Sequence, residues 1–114
     1  MKKGLTLFSI LLLVLVFACS KNTSGFTADC SGATKSFATD VNPIIQSSCA
    51  TNPGCHASGS VNGPGALTTY SQIFNARSDI RSAVSLGTMP QNGSLTTAQK
   101  NSIICWIDNG APNN

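Results

Sequence analysis

Glutamate is absent from this 114-residue chain, and its whole acidic complement is Asp29, Asp40, Asp79 and Asp108. Four scattered aspartates cannot supply the paired carboxylates of glycoside hydrolysis or the oxygen-rich ligand sets of calcium and magnesium. Charged residues of both signs make up only 10% of the sequence, and no basic cluster is present, so a nucleic-acid footprint is excluded. Histidine occurs once, tryptophan once and tyrosine once. Most hydrolytic mechanisms built on several histidines and carboxylates therefore lack their parts. Strand-type alternation and internal repeats are missing too, and the length allows one small domain at most.

Long apolar runs are confined to the N-terminus, where Lys2 and Lys3 precede a run from Leu5 through Ala18. A transmembrane helix needs about 20 apolar residues, so this shorter run ending at a small residue predicts an export signal over residues 1–18. The residues Val16, Phe17, Ala18 and Cys19 resemble a bacterial lipobox, which implies lipidation of Cys19 and attachment to a membrane. The alternative is an ordinary signal peptide that leaves Cys19 as a free thiol. Either outcome places the protein outside the cytoplasm, in the cell envelope. Residues 19–33 then read as the anchor cysteine and a flexible tether, and residues 34–114 as the folded domain. Without Lys2 and Lys3, five cations face four aspartates, leaving a single excess positive charge. Ordering a backbone costs roughly 1 to 2 kcal/mol per residue, so an exported chain this poor in large apolar residues needs staples or a cofactor to fold.

Four further cysteines are present, Cys30, Cys49, Cys55 and Cys105, and the informative cluster is Cys49-Ala50-Thr51-Asn52-Pro53-Gly54-Cys55-His56. In C-x-x-C-H segments two thiols add across the vinyl groups of a haem while the adjacent histidine ligates the iron. Here five residues separate the cysteines instead of two, so the intervening chain must bulge outward, and Pro53-Gly54 is suitable turn chemistry. The competing reading is a Cys49–Cys55 disulfide closing a surface loop, with His56 solvated. Zinc is less suitable, because structural sites favour two- to four-residue gaps and only Cys30 or Cys105 could complete the set. A blue-copper site wants two histidines.

The segment Gly87-Thr88-Met89-Pro90 carries the one methionine that remains after export. Flanked by Gly87 and Pro90, Met89 is presented from a loop, where core packing gives it little purpose. A thioether there can ligate iron opposite the histidine, a pair that raises the reduction potential. The alternative is a partly exposed loop methionine with no ligand role.

Apolar residues Phe37, Val41, Ile44, Ile45 and Cys49 follow a helical pattern, capped by Thr39 or Asp40 with Pro43 in the first turn. Two short helices are predicted at Tyr70–Asn75 and Asp79–Leu86, the second capped by Ser78 with Ile80, Ala83 and Val84 inward. Residues 57–68 read as a loop. Thr96 and Gln99 form a capping box before a last helix bearing Ile103, Ile104, Trp106 and Ile107, ended by Gly110. In an oxidising compartment the economical pairing of the outlying cysteines is a Cys30–Cys105 disulfide; two buried free cysteines are the alternative.

From about Thr34 to Ala111 the sequence resembles a small class I cytochrome c domain of the kind found in Bacteroidota-type envelope lipoproteins. The resemblance lies in Asp40-Val41-Asn42-Pro43-Ile44-Ile45, Gly54-Cys55-His56, Gly87-Thr88-Met89-Pro90 and Ile104-Cys105-Trp106-Ile107-Asp108-Asn109-Gly110-Ala111. It implies an all-α fold of three to five short helices and long irregular loops around one haem c. The N-terminal helix would cross the C-terminal helix with Phe37 against Trp106. It implies further that Cys49 and Cys55 hold the haem, with His56 the proximal and Met89 the distal ligand. The function so implied is electron exchange with a redox partner protein, not catalysis, in a chain anchored to a membrane and free of nucleic acid. The alternative is a non-redox helical lipoprotein, stapled by Cys30–Cys105 and Cys49–Cys55, that acts as a binding or structural module.

Overall fold

The computed structural model describes residues 24–114, so the export signal and Cys19 lie outside the described residues. Helices and irregular loops make up the described part, with no strand among them. A π-helical turn at Phe37–Val41 leads into α1 (Asn42–Ser48); α2 (Tyr70–Asn75), α3 (Arg77–Leu86) and α4 (Thr97–Asp108) follow.

Helical structure starts earlier than the sequence pattern predicts. The cap is Ser36 and not Thr39 or Asp40: its hydroxyl accepts from the Thr39 N–H, and the Asp40 carboxylate accepts from the Ser36 N–H at 2.8 Å. Pro43 explains the π turn. It has no N–H to give the Thr39 carbonyl four residues back, and its ring crowds that position. The register widens instead, and the Asn42 N–H reaches the Phe37 carbonyl five residues back. Pro43 then occupies the first turn of α1, where its missing donor costs nothing.

The start of α3 also differs. Ser78 lies inside the helix, which begins at Arg77 directly after the single corner residue Ala76. The Ala76 N–H closes α2 onto the Gln72 carbonyl, and the Ala76 carbonyl accepts from Ile80, so no side-chain cap is required. Capping boxes open α2 (Thr69 with Gln72) and α4 (Thr96 with Gln99). Gly87, with φ of +70°, ends α3 in the left-handed conformation that glycine tolerates.

One apolar cluster joins these elements. Val41, Ile45, Ile73, Ile103, Ile104 and Trp106 are fully buried, with Phe37, Ile80 and Val84 beside them. The π turn packs on α4, with the Phe37 ring 5.6 Å from Trp106 and 5.1 Å from Tyr70. Both polar handles of this aromatic group are satisfied by the C-terminal tail: Trp106 Nε1 donates to the Pro112 carbonyl and the Tyr70 hydroxyl to the Ala111 carbonyl. The tail then bonds the π turn through Ala38 N–H and the Asn114 carbonyl.

Residues 24–30, predicted as part of a loose tether, lie as a strap across α3 and α4. The Phe26 N–H donates to the Ser85 carbonyl at 2.7 Å, Ser85 Oγ returns a bond to the Phe26 carbonyl, and the Asp29 N–H donates to Asn101. Phe26 and Ala28 pack against the core cluster. The strap is fastened by a Cys30–Cys105 disulfide that links positions 75 apart in sequence, a closure that stabilises by about 4 kcal/mol on the chain-entropy model.

Candidate cofactor site

The chain leaves α1 through Cys49, which both caps the helix and belongs to the core cluster. The long cysteine gap is then folded away as a turn. Asn52 organises it: its carbonyl accepts from the Cys55 and Ala57 N–H groups, and its Oδ1 accepts from the Cys55 N–H at 3.1 Å. Thr51, Asn52, Pro53 and Gly54 are exposed, while the His56 N–H returns to the Cys49 carbonyl at 3.0 Å. The extra residues therefore project outward, and the two ends of the motif meet across one backbone hydrogen bond.

A second loop holds this turn from outside. Ser60 Oγ donates to the Cys55 carbonyl, and Asn62 Nδ2 donates to the Gly54 carbonyl. The same loop fixes the histidine. His56 is buried, 7% exposed, and its Nδ1 lies 2.8 Å from the Gly65 carbonyl oxygen. A carbonyl can only accept, so Nδ1 is the donor in this bond, which in the neutral ring is the tautomer that leaves the lone pair on Nε2. Among the described residues no hydrogen-bond partner engages Nε2.

Met89 comes from a separate loop. After Gly87 ends α3, the Thr88 N–H bonds back to the Ala83 carbonyl, and the chain turns through Met89-Pro90 into an exposed segment over residues 91–94. Cys49, Cys55, His56 and Met89 all line a single cavity of about 490 Å³. That volume lies within the range typical of cofactor and ligand sites, about 300–1,000 Å³. Cys30 and Cys105 take no part in it. Cys19 lies outside the described residues.

The two cavity cysteines are free thiols in a structure that closes the Cys30–Cys105 bond. They differ in surroundings: Cys49 is buried and Cys55 half-buried. Burial, reinforced by the neighbouring Cys55, pushes the Cys49 thiol above the ordinary cysteine value. Among the described residues no three His, Cys, Asp or Glu side chains converge closely enough to hold a bare metal ion.

The supports of the motif were less legible in the sequence than the motif itself. Pro53-Gly54 signalled a turn, but Asn52 as its organiser, Ser60 and Asn62 as its braces and the Gly65 carbonyl as the partner of His56 depend on contacts across a loop with no periodic pattern. Comparison of the chain with family models, curated proteins and solved structures gives no match.

Proposed function

We propose that this protein is an electron carrier of the cytochrome c type, with one covalently held haem c, anchored to an envelope membrane through Cys19. The observation that carries the reading is that two free thiols, a buried histidine held through Nδ1 and a loop methionine line one cavity. The donor set fits the group. Cys49 and Cys55 would hold it through thioethers, and His56 and Met89 would ligate its iron. Bound there, haem supplies a one-electron iron couple whose potential the His/Met pair raises.

The chain's own residues do the rest. The Gly65 carbonyl holds the His56 proton on Nδ1 and fixes the ring, which would leave Nε2 as the ligating nitrogen. Asn52, Ser60 and Asn62 keep Cys55 and His56 in place as the group is taken up or changes charge. With His56 and Met89 both given to the group, this reading is electron transfer and not catalysis.

The competing module stapled by two disulfides needs a Cys49–Cys55 bond, whereas both residues are free thiols in this structure. The test is a visible spectrum, oxidised and reduced, of the chain exported in a host with haem-attachment machinery. The proposal expects a low-spin, six-coordinate spectrum that Met89→Ala alters. An unchanged spectrum in that variant removes Met89 as a ligand, and a colourless wild-type protein overturns the proposal.

A further inference from the structure

His56 is gripped at three points, and two of them come from one short segment. Its N–H donates to the Cys49 carbonyl at 3.0 Å, its carbonyl accepts from the Leu67 N–H at 2.8 Å, and its Nδ1 donates to the Gly65 carbonyl at 2.8 Å. Residues 65–67 thus hold both the backbone and the ring of the histidine. A side chain of α1 holds that segment in turn. Gln46, half-buried and outside the cavity lining, donates from Nε2 to the Leu67 carbonyl at 2.9 Å and to Asn42 Oδ1 at 3.0 Å. A carboxamide nitrogen has two hydrogens, so both are used: one reaches across 21 positions of sequence, and the other, to the residue one turn back, sets the direction of the side chain. The Leu67 side chain, buried in the core cluster, is a second and apolar hold on the same segment. Gln46 also stands one turn before Cys49, so it links the helix that delivers the first cysteine to the segment that grips the histidine.

We infer that Gln46 is a positioning residue for His56: through the Leu67 carbonyl it keeps the Gly65 carbonyl on Nδ1, and so sets how strongly the ring can ligate a cofactor. The last step rests on the electron-carrier reading; the first does not. Donation from Nδ1–H to an acceptor raises the basicity of the other ring nitrogen. A slack 65–67 segment weakens that donation and makes the ring a poorer ligand for oxidised iron, the more highly charged form. The one-electron couple then shifts toward its reduced form.

The test compares the exported full chain with its Gln46→Ala and Gln46→Leu variants; leucine keeps bulk on α1 but has no donor. The first readout does not depend on haem. Exchange with D2O of the Leu67 amide proton and of the His56 Nδ1 proton is followed by NMR and divided by that of the Ile104 amide in the buried part of α4. Both variants should raise the two ratios about tenfold. Thr96→Ala, which removes the α4 cap and touches none of these groups, should raise neither. The second readout is the reduction potential of the haem-loaded chain. At a fixed applied potential the reduced-to-oxidised ratio should rise about threefold in both Gln46 variants and stay at the wild-type value in Thr96→Ala. Unchanged proton ratios in the Gln46 variants, with or without haem, would show that the apolar hold on Leu67 suffices and would overturn the inference. Raised proton ratios with an unmoved potential would overturn it too, by reducing Gln46 to a brace of the loop. A wild-type chain without haem bands overturns the electron-carrier reading and the ligand step with it, and the proton ratios then still decide whether Gln46 positions His56.

Discussion

Cys49 and Cys55 face the same cavity from unequal surroundings, and that inequality is measurable before any cofactor is attached. The thiolate is the reactive form, and burial together with the Cys55 charge keeps the Cys49 thiol protonated to a higher pH than an ordinary cysteine. In haem-free chain, alkylation at neutral pH should therefore mark Cys55 first, with Cys49 lagging and catching up as pH rises; peptide mapping by mass reads the order, and faster labelling of Cys49 would contradict the assigned burial. His56 owes its tautomer to one backbone oxygen, that of Gly65. The chemistry-bearing residues were legible because each is rare: one histidine, one methionine beyond Met1 and two cysteines near that histidine. Their partners are common residues on loops, and nothing in their spacing distinguishes them from solvated ones.

At the scale of elements, caps and apolar periodicity carried most of the information. The Tyr70–Asn75 span and the Thr96 box of α4 follow the pattern, since both are local effects of a side chain on the next turn. Thr96→Ala should cost about 1 kcal/mol in a urea titration, because the Gln99 N–H loses its acceptor. An unchanged midpoint would show that α4 is held by its buried face alone. The departures arise where a neighbour overrides the local signal. Pro43 shifts the first helical turn to a π register that starts from Ser36, and α2 hands its end to α3 at Ala76, so that Ser78 has no cap to make. Ser and Asp near a helix start are interchangeable by type, and only the register decides which one serves.

For the molecule as a whole, the strap and the tail hold a short helical set together. Residues 24–30 read as tether from composition, yet Phe26 and Ala28 pack on the core cluster, Ser85 and Asn101 bond the backbone, and Cys30 fastens it to α4. A Ser/Thr/Asn/Gly-rich segment has no periodicity to reveal such docking. Replacing both Cys30 and Cys105 by serine should lower stability by about 2–5 kcal/mol and raise amide exchange along the strap. Exchange confined to other segments would mean that the hydrogen bonds hold the strap unaided. Cys49 belongs both to the apolar cluster and to the lining of the cavity that the loops form beside it. The central claim is that this cavity holds a haem bonded to the chain, and the most direct measurement is the intact mass of the exported protein under denaturing conditions. The account predicts the chain plus one haem, with no hydrogen lost at Cys49 or Cys55, since thiol addition conserves every atom. A haem-free mass lacking two further hydrogens, the mark of a Cys49–Cys55 disulfide, would contradict it.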